Sequence, residues 1–576
     1  MARWRWNPLA GLVLLVLLGT SCVGAQSPRA TVGDAAPSQP TGPKRVTAAI
    51  MSEPQLLSWK LSAGDNLRAG LDTVEPLIIA GLTANDNVGQ LRPILAEDVP
   101  TIENGRWRLF PDGRMETTWR IRNGAVWHDG TPVTAEDFAF TATVVQDASL
   151  AALRDARYRF IESVETPDPR TVTVRWRQPF VEADAMFGGD LALPLPSHLL
   201  AASYAENKAT FLDLPYWSDE FVGTGPFKVK SFVRGTHVVL EANDQYVLGR
   251  PKIDTIEVRL ILDSNALVAN VLAGVVELTL GRSISVEQGL DIQNRWREGK
   301  IEVAPVNFLR LFPQFIDPVP PIQANLQFRR ALLHGIDRQE MVDTLMYGVS
   351  PIAHSFMDPG QPAYKDIEDR YVVRYDYDLR RAAQMIEGLG YTKDASGMYQ
   401  APASEGGGPL TIETLVSASQ EINVKSMFAV ADYWQRLGVN VKREIEPTQL
   451  SGTERRVSMA TRPGFFLTRQ GGDVANFPRL FSSEVPLPEN NHVGNNASRY
   501  MNRDLDGLLE RYYVTIPIPE RRELIGQIIH HISDQLVMLP LFYGAEPIVV
   551  GNRLANVGTR TSSATQAWNA QEWDIR

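Results

Sequence analysis

The groups of this chain able to do chemistry are 67 acidic residues, eight histidines and one cysteine, Cys22. Paired carboxylates would serve glycoside hydrolysis, but with so many acids in 576 residues no pair stands out. The histidines never take the HExxH spacing of a zinc hydrolase. His530 and His531 are adjacent, so on a helix they point in different directions. No GxSxG nucleophile elbow occurs, because Gly223-Thr224-Gly225 lacks the serine. Residues 405–409 include three consecutive glycines but no following Lys-Ser/Thr pair, so they read as a flexible surface loop and not as a phosphate cradle. No catalytic residue, metal site or cofactor is therefore expected. A secreted, membrane-anchored hydrolase is the competing reading from another class.

Cys22 stands at the end of an apolar run. Arg3 and Arg5 precede residues 9–18, and Gly19-Thr20-Ser21 follow them. A cationic start, a short apolar stretch and small residues make a secretory signal. The run falls short of the about 20 apolar residues that span a bilayer. A cysteine directly after the small residues resembles the bacterial lipoprotein signal, which implies cleavage before Cys22 and a lipid on its thiol. Residues 1–22 are thus read as a signal peptide with its lipoprotein cysteine, and the rest as extracytoplasmic and lipid-anchored. Residues 23–45, rich in Ala, Pro, Gly, Ser and Thr, bury too little apolar surface to order themselves and read as a flexible linker. The net charge of −10 argues against a nucleic-acid partner. Beyond Cys22 there is no thiol for a disulfide or a thiolate metal site. The length calls for two or three domains, since one core rarely grows past about 250–300 residues.

The elements that must position any site are legible from periodicity. Residues 115–122 and 171–177 alternate as half-buried strands. Between them Asp129-Gly130-Thr131-Pro132 makes a turn, and Thr134 with Asp137 starts a helix by capping. Strands follow at 236–241 and 255–261, and a helix opens at Ser264. Residues 328–333 are helical, with Arg329 and Arg330 placed to pair with nearby acids. Asp337 and Glu340 cap the next helix, which Gly348 ends. Residues 378–389 and 421–437 form helices stopped by Gly390 and Gly438, and 439–445 form a strand. Pro519 fits the first turn of a helix with Leu524, Ile525, Ile528, Ile529 and Ile532 on its inner face. The mixture is α/β or α+β with several sheets.

Several segments, in order, resemble the family-5 extracellular solute-binding proteins, the dipeptide/oligopeptide-type receptors of ABC importers. They are Leu95-Ala96-Glu97; Trp119-Arg120-Ile121-Arg122; Val126-Trp127-His128-Asp129-Gly130-Thr131-Pro132-Val133-Thr134-Ala135-Glu136-Asp137-Phe138; Gly223-Thr224-Gly225-Pro226-Phe227-Lys228-Val229; Leu240-Glu241-Ala242-Asn243; Phe328-Arg329-Arg330-Ala331-Leu332 with Gly335-Ile336-Asp337-Arg338; Tyr375-Asp376 to Gly390-Tyr391; and Arg436-Leu437-Gly438-Val439. The resemblance implies a two-lobe periplasmic-binding-protein-like fold with an extra domain inserted in the first lobe. Lobe 1 would be 46–90, 222–308 and 541–576, the inserted domain 91–221, and lobe 2 309–540. The chain would cross between lobes near 305–313 and again at Leu539-Pro540-Leu541-Phe542-Tyr543. The signature segments themselves read as scaffold.

The same resemblance implies a receptor that captures a peptide-like or other small polar solute by closure and hands it to ABC permease subunits, as a monomer. A sensor of the same fold not coupled to import, and a metal-chelate or sugar ligand, are the alternatives within it. Its amine-binding acid falls on Gln470, an amide that cannot supply a full counter-charge. Arg469 and Asp473 lie beside it. Glu53 and Trp59 fall where the first strand meets the cleft. Phe466, Phe477 and Trp568, with Phe465, are candidate aromatic walls, since rings bury area at low entropic cost. The expected ligand-binding set is thus Glu53, Trp59, Phe466, Arg469, Gln470, Asp473, Phe477 and Trp568.

Overall fold

The computed structural model describes residues 42–576 apart from 63–69, 151, 190, 362, 418–420, 448–449, 451 and 562–563. Cys22 and residues 23–41 of the expected linker lie outside the described residues.

Local capping decides where several helices begin. Helix Ala135–Gln146 starts at Thr134, whose N–H donates to the Asp137 carboxylate at 2.9 Å in a capping box. That buried carboxylate also accepts from Trp127 Nε1 at 3.1 Å and Ser197 Oγ at 2.6 Å, tying the turn, the helix and the next segment together. Asp337 caps Arg338–Leu345 by accepting from the Glu340 N–H at 2.9 Å. Helix Glu421–Leu437 runs into Gly438, at φ +108°. Helix Ile518–Asp534 buries Leu524, Ile525, Ile528, Ile529 and Ile532, as the 3.6-residue period requires.

Ten strands form one mixed sheet. Their spatial order is Asn440–Glu446, Thr411–Ser417, Phe465–Gln470, Gly299–Phe312, Leu539–Gly551, Leu278–Thr279, Arg45–Ile50, Thr255–Leu260, His237–Ala242 and Phe227–Val233. Each half has a parallel unit. Thr411–Ser417 runs parallel to both of its neighbours, and Arg45–Ile50 does the same in the other half. The two long central strands, Gly299–Phe312 and Leu539–Gly551, pair antiparallel and belong to both halves. Residues 299–305 pair with 545–551 on one side, and 308–311 with 539–543 on the other. Their register breaks between Pro305 and Phe308, around Asn307 at φ +61°. Such a bulge leaves a residue unpaired and lets a strand bend. The chain therefore passes between halves inside two continuous strands, and the expected crossover at 305–313 is the end of one of them.

A separate four-stranded antiparallel sheet is formed by Trp107–Leu109, Met115–Arg120, Thr171–Trp176 and Ile161–Asp168, with helix Ala135–Gln146 against it. Trp119, Trp127, Trp176 and Phe138 fill its core. The signature histidine is a clamp: His128 Nδ1 accepts from the Gly223 N–H and Nε2 faces the Gly225 carbonyl, both at 3.1 Å. Burial pushes this imidazole down to about 4, so it stays neutral at pH 7 and the backbone fixes its tautomer. A Cβ at Gly223 would lie 1.9 Å from the Ile78 carbonyl oxygen, so only glycine fits there. Arg329 departs from the sequence expectation. It is buried, and its guanidinium donates to the carbonyls of Gln323, Ala324 and Gln535 in place of an acid, while Arg330 does pair with Asp534 at 2.6 Å. The helix packs on backbone that needs donors, and Arg329 supplies them.

Candidate functional site

Two neighbouring cavities open along the carboxyl ends of the parallel strands. In open α/β sheets this edge is where ligands bind, at the point where strand order reverses.

The first cavity holds about 620 Å³, within the range of small-solute sites. The half of the sheet that holds Arg45–Ile50 contributes Met51 and Glu53 just past that strand, Leu262 past Thr255–Leu260, and Arg282 to Glu287 past Leu278–Thr279. The other side contributes Thr344 to Tyr347, the first turn of helix Glu421–Leu437 and Arg469. Ala545 and Glu546 of the second long strand lie between them. Its charges are mixed: Glu53, Glu287, Glu421 and Glu546 against Arg282, Lys425 and Arg469. Some are already neutralised within the chain. Glu421 pairs with Lys425 at 2.7 Å, and Glu546 faces Arg560 at 3.6 Å, itself held by Asp72 at 2.7 Å. Glu53 and Arg282 form no ion pair with any described residue, so both charges are open to a ligand.

The second cavity, about 330 Å³, lies at the ends of Thr411–Ser417, Asn440–Glu446 and Phe465–Gln470. Arg455, Arg456, Arg469 and Arg479 line it, with Glu446 as the one acid. Arg469 lines both cavities.

The residues singled out from sequence separate in space. Glu53 and Arg469 line the first cavity, and Arg469 with Phe466 the second. Phe466 is 4% exposed under the Arg462 guanidinium, so it offers an edge of the core to the cavity. Phe477 is fully buried, packed against Phe356 and Tyr512. Phe465 is likewise in the lobe 2 core, beside Trp434. Asp473 precedes the 3-10 helix Val474–Leu480 and accepts from Asn476 Nδ2 at 2.6 Å. Gly472 before it needs to be glycine, because a Cβ would sit 2.3 Å from the Phe356 carbonyl oxygen. Trp59 lines a space of about 50 Å³ beside Trp217 and Phe221, and Trp568 a surface recess with Arg92 and Leu248. Gln470 ends its strand; its side chain lies outside the described residues. Sequence reading missed Arg282, Glu287, Thr344, Tyr347, Lys425 and the cluster Arg455, Arg456, Arg479. The signal available for them was only their place just after strand ends or at helix ends.

The profile described as Bacterial extracellular solute-binding proteins, family 5 Middle matches residues 90–483. The chain belongs to this family. It is a solute-binding receptor of the ABC-importer type, with the family's two-lobe fold. A Brucella ovis protein provisionally named an ABC transporter peptide-binding protein is 28% identical over 402 residues, 68% of this chain and 67% of that one. Among solved structures, the oligopeptide-binding protein of Thermus thermophilus with a pentapeptide superposes with a TM-score of 0.72 at 22% identity, covering 92% of this chain and 96% of that one. NikZ of Campylobacter jejuni with Ni(L-His) gives 0.73 at 21%, covering 92% and 99%. Among the described residues of this family-5 receptor, no group of three or more His, Cys, Asp or Glu is placed to hold a metal ion, and no helix is long and apolar enough to cross a membrane.

Proposed function

We propose that this receptor captures a peptide-like solute in the first cavity and delivers it to permease subunits, performing no chemistry of its own. The observation that carries the reading is the wall composition of that cavity: both halves of the sheet contribute, and the two long strands between them supply its floor. A solute touching both halves stabilises the arrangement in which they face each other, so binding free energy goes into closure. The register break at 305–308 is where the long strands can bend. The unpaired Glu53 suits a ligand ammonium, which offers a charge-assisted partner where Gln470 offers none. Lobe 1 as 46–90, 222–308 and 541–576, the insert 91–221 and lobe 2 309–540 are the units that would move. Lipidation at Cys22, with 23–45 as a leash, would keep a monomeric receptor outside the cytoplasm at high effective concentration near its permease.

The test is a thermal-shift screen of the purified chain with short peptides, oligosaccharides and metal chelates. Peptides are expected to raise the melting temperature, without hydrolysis on prolonged incubation. Sustained turnover of a bound peptide, lost on mutating Glu53, would sink the reading.

A further inference from the structure

We propose that the contact between residues 180–184 and helix Arg503–Val514 is a latch that protons on Glu182 and Asp184 hold shut, so that this receptor closes more readily in acid surroundings than at neutral pH. The inference rests on the closure reading above, in which residues 91–221 and 309–540 belong to units that move apart.

The latch is an interface of rings around one backbone hydrogen bond. The Val181 N–H donates to the Tyr513 carbonyl at 2.9 Å. Phe180 stacks on Phe160 at 4.8 Å and on Tyr513 at 6.4 Å, and Tyr513 stacks on Phe481 at 6.2 Å. Phe180, Val181, Ala183, Tyr512 and Tyr513 are all buried in one apolar cluster. Under the proposed division, 180–184 belongs to one moving unit and helix Arg503–Val514 to the other. Opening would then break the hydrogen bond and expose the rings.

Two acids sit inside this interface, on either side of Ala183. Glu182 Oε2 is enclosed and accepts no hydrogen bond, and the Tyr513 hydroxyl is enclosed without a partner too. The nearest cation, Arg157, is 3.8 Å from Glu182 but is committed to Asp155, to which its Nε donates at 2.9 Å and a terminal nitrogen at 2.7 Å. Lys60 also serves Asp155, at 3.3 Å, and Arg159 lies over Phe160 at 4.9 Å. Asp155, Asp184 and Asp473 add negative charge at Glu182, while Arg521 of helix Ile518–Asp534 opposes the protonation of Asp184. Burial outweighs these cations and raises Glu182 to about 7 and Asp184 to about 6.

A buried carboxylate without hydrogen bonds is costly when ionised and much less so when protonated. Opening hydrates both groups and lets them fall back toward the ordinary carboxylate range, so closure takes up protons. The closed form is the one with raised pKa values. Its stabilisation is therefore complete in acid and is lost as pH rises through about 6 and 7. Within that window each group shifts the closing equilibrium by up to about tenfold per pH unit, and a solute that binds the closed form inherits the shift.

Small-angle scattering of the intact chain without solute, at about pH 5 and about pH 8, tests the latch. The radius of gyration is expected to rise by about 1 Å at the higher pH, on the roughly 25 Å of a compact chain this long, with far-ultraviolet dichroism unchanged. Glu182→Gln keeps the shape of the neutral acid and should remove most of the rise; Asp184→Asn should remove a smaller part and covers the case in which the first variant misfolds. No rise in the parent chain would overturn the latch, as would an equal rise in both variants or a rise accompanied by loss of helical signal. Each of these leaves the thermal-shift screen for solutes untouched, so the latch can fail while the receptor reading stands.

Discussion

The two cavities are built on the same edge of the same sheet, yet they are charged differently. The first has acids and bases from both lobes, several already paired with each other. The second has four arginines and one acid, Glu446, in its lining. A mixed lining tolerates many solutes, because local pairs satisfy themselves when the ligand does not. A lining in which arginines outnumber acids offers a solute's acceptor groups more donors.

The largest effect should come from filling the first cavity. Thr344 is exposed at the end of helix Arg338–Leu345 and lines it. Thr344→Trp should weaken every solute by roughly 100-fold, or about 2.7 kcal/mol, with stability changed by no more than about 0.5 kcal/mol. Calorimetry with acidic and neutral peptides checks this, and unchanged affinity for either would separate that solute from the first cavity. Glu53→Gln comes next. It is expected to weaken free-amine peptides by about tenfold, a charged hydrogen bond being worth roughly 1.5–3 kcal/mol, and to leave N-acetylated peptides unaffected. Equal loss for both peptide forms would assign Glu53 to scaffold.

The smallest effect belongs to a contact that lines neither cavity. There residues 180–184 meet helix Arg503–Val514: the Val181 N–H donates to the Tyr513 carbonyl at 2.9 Å and Phe180 stacks on Tyr513. Burial pushes Glu182 from 4.5 to about 7 and Asp184 from 3.8 to about 6. Arg157, 3.8 Å from Glu182, opposes the shift without cancelling it, while Asp155, Asp184 and Asp473 add to it; Arg521 opposes that of Asp184. Each folded pKa is above the unfolded one, so the folded chain holds these protons more tightly. The stability they contribute is present at low pH and is lost as pH rises through about 6 and 7. The melting temperature should fall by a few degrees across this window, scaled by about 2–4 °C per kcal/mol in large domains. Glu182→Gln should flatten that slope without changing peptide selectivity, as a melt at several pH values would read.

Much of the framework was legible before any coordinates. Helix Glu421–Leu437 begins and ends where its apolar period and Gly438 put it. The Thr134–Asp137 cap and the buried stripe Leu524 to Ile532 are equally local, and the ordered motifs named the family. These follow from contacts within a few residues, where side-chain spacing and backbone preference act directly. The site was only partly legible. Glu53 and Arg469 were marked by the family resemblance, while Phe477 and Phe465 read the same as cleft aromatics but pack into cores. Sequence spacing cannot tell which side of a strand end faces a partner lobe. Arg455 and Arg479, separated by a helix and a strand, meet only because Phe465–Gln470 threads between Thr411–Ser417 and Gly299–Phe312. Local periodicity thus settled the elements, and the ordered motifs the family, of this receptor. Strand order in the ten-stranded sheet decided which charges share a cavity, because charges interact through space and not along the chain.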